Sequence, residues 1–190
     1  GPPISTTASK TDALCNGSAT GTITVVQPMV GAAPFEYSLD GTTWQTSNVF
    51  TGLAAGAYTV YFREGGGCQG TLPIIVAEPT VLATSVSASA AICNAQSNGT
   101  ILVAANGGVS PYQYSLNGTT WQGSNMFNVP AGNYTITIRD ANGCISTQNT
   151  TITEPAVLAA NAVATNASCD GGNDGTIVVT ANGGNSSYSY

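Results

Sequence analysis

Residues 37–45 read YSLDGTTWQ and residues 114–122 read YSLNGTTWQ, so eight of the nine letters are shared. Asp40-Gly41 and Asn117-Gly118 are dipeptides that favour the positive φ of a tight hairpin turn. Because Asp and Asn both tolerate that backbone, the single difference keeps the turn and removes its charge. A catalytic carboxylate is not expected to survive replacement by an amide, so the stretch predicts a structural hairpin.

The hairpin belongs to a longer internal repeat, since Tyr37 recurs 77 positions later as Tyr114. Other landmarks recur at similar steps: Cys15, Cys93 and Cys169; Cys68 and Cys144; Glu78-Pro79 and Glu154-Pro155. This period predicts one repeat over residues 1–79, a second over 80–155 and the N-terminal part of a third over 156–190. The third part lacks more than half of the predicted strands, too few to bury a core. We therefore expect both ends, including Gly1-Pro2-Pro3, to be cuts within a longer array.

Short β-strands dominate the chain, because segments such as 22–25, 58–62 and 135–138 alternate with period two. Clusters of Gly, Asn, Pro and Ser interrupt the alternation about every 8–12 residues, as in a sandwich or barrel. The predicted strands of the first repeat lie near 4–13, 21–27, 34–39, 43–46, 48–51, 57–63 and 68–77. The pattern recurs from residue 81 to residue 153.

Six aromatic residues recur at equivalent positions with a predicted structural role: Tyr37, Trp44, Tyr58, Tyr114, Trp121 and Tyr134. A glycine-containing corner precedes Tyr58 and Tyr134, which resembles the tyrosine corner of Greek-key sandwiches, where the phenol binds the backbone just upstream. The alternative is that both are simple core aromatics. The corner favours all-β, tandem immunoglobulin-like or fibronectin-III-like Greek-key β-sandwiches arranged end to end.

The composition excludes several classes of function. Only 6% of the residues are charged, the net charge is −6, and there is no histidine. An acidic chain lacks the basic surface that nucleic acid requires, and no apolar run approaches the ~18 residues of a membrane span. A Ser–His or Cys–His nucleophile cannot form without histidine, and no CxxC motif suggests zinc. Since Glu36 becomes Gln113, no paired-carboxylate site recurs either, and we expect neither an enzyme nor a cofactor.

Residues 107–116 (GGVSPYQYSL), 130–144 (PAGNYTITIRDANGC) and 152–155 (ITEP) resemble the SprB repeat. The first repeat departs from this pattern at 30–35 (VGAAPF) and 64–68 (EGGGC). The resemblance implies a long, repetitive cell-surface adhesin of Bacteroidetes, exported by the type IX secretion system, whose relatives include adhesins of gliding motility. It implies a non-catalytic extracellular filament or stalk. The expected partners are neighbouring repeats, an extracellular surface or polysaccharide, and export and motility machinery contacted through regions outside this sequence.

A ligand-binding module is the competing interpretation. Exposed loops such as 107–110 would then recognise carbohydrate, and binding to a glycan array would favour this alternative. An inert, stiff rod in small-angle scattering would favour the stalk.

The five cysteines are the candidates for chemistry: Cys15, Cys68, Cys93, Cys144 and Cys169. In an exported protein they predict disulfides. Pairing within each repeat would join Cys15 to Cys68 and Cys93 to Cys144. In a sandwich, however, five strands separate those cysteines and place them at opposite poles, whereas a disulfide needs Cα atoms within about 7 Å. Stacked repeats would instead bring Cys15 to Cys144, and the two alternatives stay open.

Two weaker patterns involve charged residues. Asp170, Asn173 and Asp174 offer oxygen ligands for Ca²⁺, but the equivalent segments 16–21 and 94–99 contain no carboxylate, so a turn is the default. Arg63-Glu64 and Arg139-Asp140 place opposite charges side by side in both repeats. They predict a surface or inter-repeat salt bridge worth about 1 kcal/mol or less.

Overall fold

The computed structural model describes residues 4–28 and 30–190, so the expected cut at Gly1-Pro2-Pro3 lies outside the described residues. Every regular element in the described residues is a β-strand, which confirms the all-β prediction. The strands are β1 (Ala8–Thr11), β2 (Gly21–Val25), β3 (Glu36–Ser38), β4 (Val49–Leu53), β5 (Gly56–Arg63), β6 (Gln69–Val76), β7 (Ala83–Ser89), β8 (Gly99–Asn106), β9 (Gln113–Ser115), β10 (Met126–Val129), β11 (Gly132–Arg139), β12 (Ile145–Ile152), β13 (Ala159–Thr165) and β14 (Thr176–Asn182).

The first repeat consists of two antiparallel three-stranded sheets, with the orders β1-β2-β4 and β3-β5-β6. In the strand nomenclature of an immunoglobulin constant domain these are A-B-E and C-F-G. The strand order therefore confirms the immunoglobulin-like prediction. Within the described residues, the first sheet lacks the short fourth strand (D) of that domain type.

The predicted strand at 43–46 is wrong, because this segment makes a single β-bridge between Tyr37 and Gln45. The Gln45 side chain explains the early departure from the sheet. Its Nε2 donates to the backbone oxygens of Ser47 and Val49 at 2.8 and 3.1 Å. These bonds turn the chain towards β4 directly after the bridge.

The core of the first repeat lies between its two sheets. Alternate residues point inwards on each strand, so Val60 and Phe62 on β5 are 0% and 2% exposed. The remaining members of the buried cluster are Ile4, Ile23, Val25, Tyr37, Leu53 and Val76. Burying one such side chain contributes about 1.5–3 kcal/mol, so the alternation itself is the main source of stability.

The second repeat has the same architecture, with the sheet orders β10-β8-β7 and β12-β11-β9. Its buried residues occupy the positions equivalent to the first core: Ile101, Val103, Tyr114, Val129, Ile136, Ile138 and Ile152.

The third segment forms only the antiparallel pair β13–β14. Ile177 and Val179 are 71% and 43% exposed, although their counterparts Ile101 and Val103 are 0% exposed. The difference arises because residues 183–190 form no strand that could cover this face.

By its internal contacts the chain divides into two compact units. The first comprises residues 1–83, 106–112 and 139–145, and the second comprises 84–105, 113–138 and 146–190. Two loops of the second repeat thus belong to the same unit as the first repeat. The boundaries 1–79, 80–155 and 156–190 remain a prediction from the sequence period.

Candidate functional site: the linkers between repeats

The Glu-Pro linker after the first repeat is held by a turn near the start of that repeat. Asn16 Nδ2 donates to Glu78 Oε1 at 3.0 Å and to the carbonyl oxygen of Pro79 at 3.1 Å. The backbone N–H of Gly17 donates to Glu78 Oε2 at 2.5 Å. Proline already restricts the preceding residue to extended backbone. We call this set of contacts the linker clamp.

The linker clamp recurs after the second repeat. Asn94 Nδ2 donates to Glu154 Oε1 and to the carbonyl oxygen of Pro155, both at 3.0 Å, and the N–H of Ala95 donates to Glu154 Oε2 at 2.7 Å. Ala95 adopts a φ of 55°, in the left-handed region that side chains avoid. Ala95 therefore adopts a backbone conformation that is unfavourable for alanine, and in this conformation its N–H binds the Glu154 carboxylate.

A glycine pair holds the next part of each linker. The N–H of Gly108 donates to the carbonyl oxygen of Thr80 at 2.9 Å, and the N–H of Gly184 donates to that of Ala156 at 2.8 Å. Gly107, the residue before Gly108, has a φ of 74°, and a Cβ at this position would lie 2.0 Å from the carbonyl oxygen of Val81. Only glycine permits this approach.

A buried acid braces two loops of the second repeat. Asp140 is 5% exposed, and its Oδ2 accepts the N–H of Val109 at 2.9 Å. Its Oδ1 accepts the N–H groups of Asn142 and Cys144, each at 2.9 Å. The carboxylate thereby fixes the loop that carries Cys144 against the loop 107–110. The backbone amide of Val109, in the loop considered for carbohydrate binding, is already occupied.

Glu64 makes the related contact in the first repeat, where its carboxylate accepts the N–H of Ala32. This bond, followed by the Cys68 side chain, lowers the pKa of Glu64. The same contact with Glu64 raises the pKa of the Cys68 thiol. A smaller fraction of Cys68 is therefore in the thiolate form at neutral pH than for an ordinary exposed cysteine.

The expected salt bridge between the neighbours Arg63 and Glu64 is wrong. Successive side chains on a strand point to opposite faces, whereas Arg63 and Glu36 are direct partners across β5 and β3. Arg63 Nε lies 2.6 Å from Glu36 Oε2, and its Cζ lies 4.1 Å from the ring centroid of Trp44. Asp140, next to Arg139, uses both oxygens on backbone amides.

The part of the chain that the structure describes contains one disulfide, between Cys15 and Cys144, with Sγ atoms 2.03 Å and Cα atoms 5.7 Å apart. Asn142 Nδ2 donates to the carbonyl oxygen of Leu14 at 2.7 Å beside it. The bond joins the first repeat to the second, and the within-repeat pairs are not formed. Three cysteines are free and exposed in the described residues: Cys68, Cys93 and Cys169.

Both hairpins of the shared sequence stretch have the same hydrogen bonds. Asp40 Oδ1 accepts the N–H groups of the residues two and three positions later at 2.7 and 2.6 Å, and Asn117 Oδ1 does the same at 2.9 and 2.8 Å. In Asp40 the N–H groups of Thr43 and Thr42, and then Ser38, hold the pKa well below its ordinary value. The bonds need an oxygen rather than a charge, which explains the exchange of Asp for Asn.

The two corner tyrosines donate to backbone oxygens four residues upstream. The hydroxyl of Tyr58 lies 2.9 Å from the carbonyl oxygen of Ala54, and that of Tyr134 lies 2.9 Å from the carbonyl oxygen of Pro130. This is the hydrogen bond that defines a tyrosine corner.

Of the candidate calcium ligands Asp170, Asn173 and Asp174, the last is bound to a serine of the same turn. Asp174 Oδ1 accepts the N–H of Ser168 at 3.0 Å and Oδ2 accepts its Oγ–H at 2.5 Å, which lowers the pKa of Asp174. Across residues 4–28 and 30–190, no group of three or more His, Cys, Asp or Glu side chains could hold a metal ion. The same residues include no helix long and apolar enough to cross a membrane.

Sequence reasoning missed the linker clamp, although Asn16, Asn94 and the Glu-Pro pairs recur at repeat spacing. Their recurrence was the available signal. Sequence alone could not indicate that the two segments meet, because Asn16 and Glu78 are 62 positions apart.

A family profile described as the SprB repeat matches the chain three times, at residues 7–43, 85–120 and 161–190. Together these matches cover just over half of the 190 residues. No protein with a curated functional description gives a significant match.

Several solved structures are similar at low identity. Three N-terminal domains of the bacteriophage RB49 highly immunogenic outer capsid protein (Hoc) match with 12% identity over 95% of this chain and 69% of theirs, at a TM-score of 0.49. The C-terminal 282-residue fragment of intimin, in complex with the intimin-binding domain of its translocated receptor, matches with 14% identity over 85% of this chain and 67% of its own, at 0.42. Domains 1–6 of the surface layer protein SbsC match with 13% identity over 94% of this chain and 36% of theirs, at a TM-score of 0.34. The fold assignment rests on strand order rather than on these scores.

Proposed function

The chain belongs to the SprB repeat family, and from that premise we propose that it is the stalk of a surface adhesin. A repeat segment of a surface protein is the coarse function that the family supports. The finer proposal is that tandem repeats form an extended, non-catalytic filament, exported by the type IX secretion system and used for surface adhesion and gliding motility. Its partners would be neighbouring repeats and an extracellular surface or polysaccharide.

The duplicated linker clamp is the observation that carries this proposal. In both linkers an asparagine side chain and a backbone N–H bind one carboxylate, with distances that agree within 0.2 Å. Because the same hydrogen bonds hold the linker after each full repeat, they would set a constant spacing between successive repeats. Control of spacing is what a stalk requires.

The extracellular location is supported by the disulfide between Cys15 and Cys144. Disulfides persist in oxidising compartments and are rare where glutathione keeps thiols reduced. Family membership supports the same location, because the SprB repeat is found in cell-surface proteins.

A non-enzymatic role is supported by the way the acids are used. Glu78 and Glu154 each accept one backbone N–H and one asparagine side chain, and Asp140 accepts only backbone N–H groups. Such carboxylates are bound by the protein itself and hold its own loops and linkers in place.

Antibodies raised against the 190-residue chain provide the first test on intact cells of the source organism. We expect them to label cells without permeabilisation, and monovalent Fab fragments to reduce attachment to glass and polysaccharide under flow. Fab fragments against an unrelated surface protein are the control. Labelling that requires permeabilisation would exclude the surface role.

The finer claim of adhesion is tested with beads that carry the purified chain. We expect them to resist detachment from one of the coated surfaces more than albumin-coated beads do. Selective binding to a glycan array would instead assign carbohydrate recognition to the repeats. No retention on any surface would leave a spacer function and overturn direct adhesion.

A further inference from the structure

We propose that the Cys15–Cys144 disulfide is a covalent bypass, which removes residues 16–143 from the path of tension when the protein is pulled from its two ends. The inference goes beyond the proposed function, because it holds whether or not the protein adheres to anything.

The covalent connectivity alone determines the path. Tension that enters at the N-terminal end reaches Cys15, crosses the Sγ–Sγ bond to Cys144 and leaves towards Tyr190. Residues 16–143 form a loop that is closed by the disulfide and bears no tension. Of the fourteen strands in the described residues, the loop contains β2 to β11, and β1, β12, β13 and β14 lie outside it.

The protected length is large. Cys15 and Cys144 are separated by 129 positions, which reach roughly 430–460 Å in a fully extended chain. The disulfide keeps their Cα atoms 5.7 Å apart, even if every strand inside the loop unfolds. The disulfide therefore prevents almost all of that extension when the chain is pulled from its ends.

The segments that carry the two cysteines are held in place independently of the disulfide. Cys144 N donates to the buried Asp140 carboxylate at 2.9 Å, and Ser18 N donates to the carbonyl oxygen of Cys15 at 3.0 Å. Asn142 Nδ2 links the two segments through the Leu14 carbonyl at 2.7 Å. Without the disulfide, this hydrogen bond would carry tension that a covalent bond carries in the oxidised protein.

Reduction should open the bypass by thiol–disulfide exchange. A thiolate of dithiothreitol attacks one sulfur of the pair and releases the other cysteine as a thiol. The second thiol of the reagent then resolves the mixed disulfide, so both cysteines end as thiols and the reagent as a cyclic disulfide. Cys68, Cys93 and Cys169 take no part in this step.

Single-molecule force spectroscopy on the 190-residue chain tests the bypass, with peptide-tag handles attached at both ends. We expect the total unfolded contour length of the oxidised chain to be shorter than that of the reduced chain by roughly 430–460 Å. The control variant, with Cys68, Cys93 and Cys169 all replaced by Ser, should keep this difference. Equal lengths in the two states would overturn the proposal.

Two further measurements keep the test independent of variant folding. Dithiothreitol added to a single oxidised molecule under tension should release the hidden length in one step, since the same molecule serves as its own control. Non-reducing peptide mapping should recover the Cys15 peptide joined to the Cys144 peptide. A Cys15 peptide joined to Cys68 would overturn the assignment.

Discussion

Replacement of Ser115 by Ala would remove the polar centre of the second hairpin. Ser115 is 0% exposed, and its Oγ accepts the N–H of Gly118 at 2.9 Å and that of Asn117 at 3.2 Å. The hydroxyl also lies 3.0 Å from Asn117 Oδ1, to which it donates. Alanine leaves two partly buried backbone donors without their acceptor.

The expected cost follows from those contacts. One hydrogen bond contributes about 0.5–1.5 kcal/mol net, and a buried donor left unsatisfied costs about 1–3 kcal/mol. Because the two N–H groups are only partly buried, we expect Ser115→Ala to lower the free energy of unfolding by about 1–3 kcal/mol, the net contribution of two hydrogen bonds. Ser38→Ala, at the equivalent buried position, should destabilise the first repeat in the same way.

The assay uses the one tryptophan in each repeat, Trp44 and Trp121. In a Trp44→Phe background, fluorescence during urea unfolding reports the second repeat alone. Ser87→Ala, at an exposed position of β7, is the matched control and should change stability by less than about 0.5 kcal/mol. A loss for Ser115→Ala no larger than that of the control would refute the account of the buried hydroxyl.

Three further substitutions test other features. Because the pKa of Asp40 in the folded protein lies below its ordinary value of 3.8, its stabilising contribution is present at neutral pH and lost as the pH falls below about 4. Asp40→Asn should therefore weaken the fall in the free energy of unfolding at acid pH. Urea midpoints measured from pH 2.5 to 7 that vary identically in the parent and the variant would contradict this. Tyr134→Phe removes the bond to Pro130 and should cost about 1 kcal/mol in urea unfolding, with no change of fold by circular dichroism. At Gly99 a Cβ would lie 2.5 Å from Ile152 Cγ2, so Gly99→Ala should lower the unfolding free energy by about 1–3 kcal/mol, and a thermal midpoint equal to that of the parent would show that the core adapts freely.

Most strands could be predicted from the sequence because burial in a sandwich alternates with period two. The run 58–62 identifies β5, and Val60 and Phe62 within it are buried as the alternation requires. The corner before Tyr58 indicated the sandwich class for a similar reason, since a glycine-containing corner is a local feature. Both features can be predicted from the sequence because each depends on residues that are close together in the chain.

The errors concern contacts that depend on register. Arg63 pairs with Glu36 rather than with Glu64 because strands β3 and β5 align those two residues. The segment 43–46 leaves the sheet because the Gln45 side chain binds nearby carbonyl oxygens. Neither outcome can be read from residue type or spacing. The choice between cysteine pairings likewise required the positions of two loops that are distant in sequence.

The linker clamp has a consequence for how such a gene changes in length. Each linker takes its asparagine from the repeat before it and its glycine pair from the repeat after it. A whole repeat gained or lost by recombination between equivalent positions therefore recreates the same linker. The cysteine positions behave alike, because each full repeat brings one residue of the Cys15 type and one of the Cys144 type. For the stalk proposed above, the distance that the protein reaches from the cell would then be a heritable variable, adjustable in whole repeats without a new interface between them.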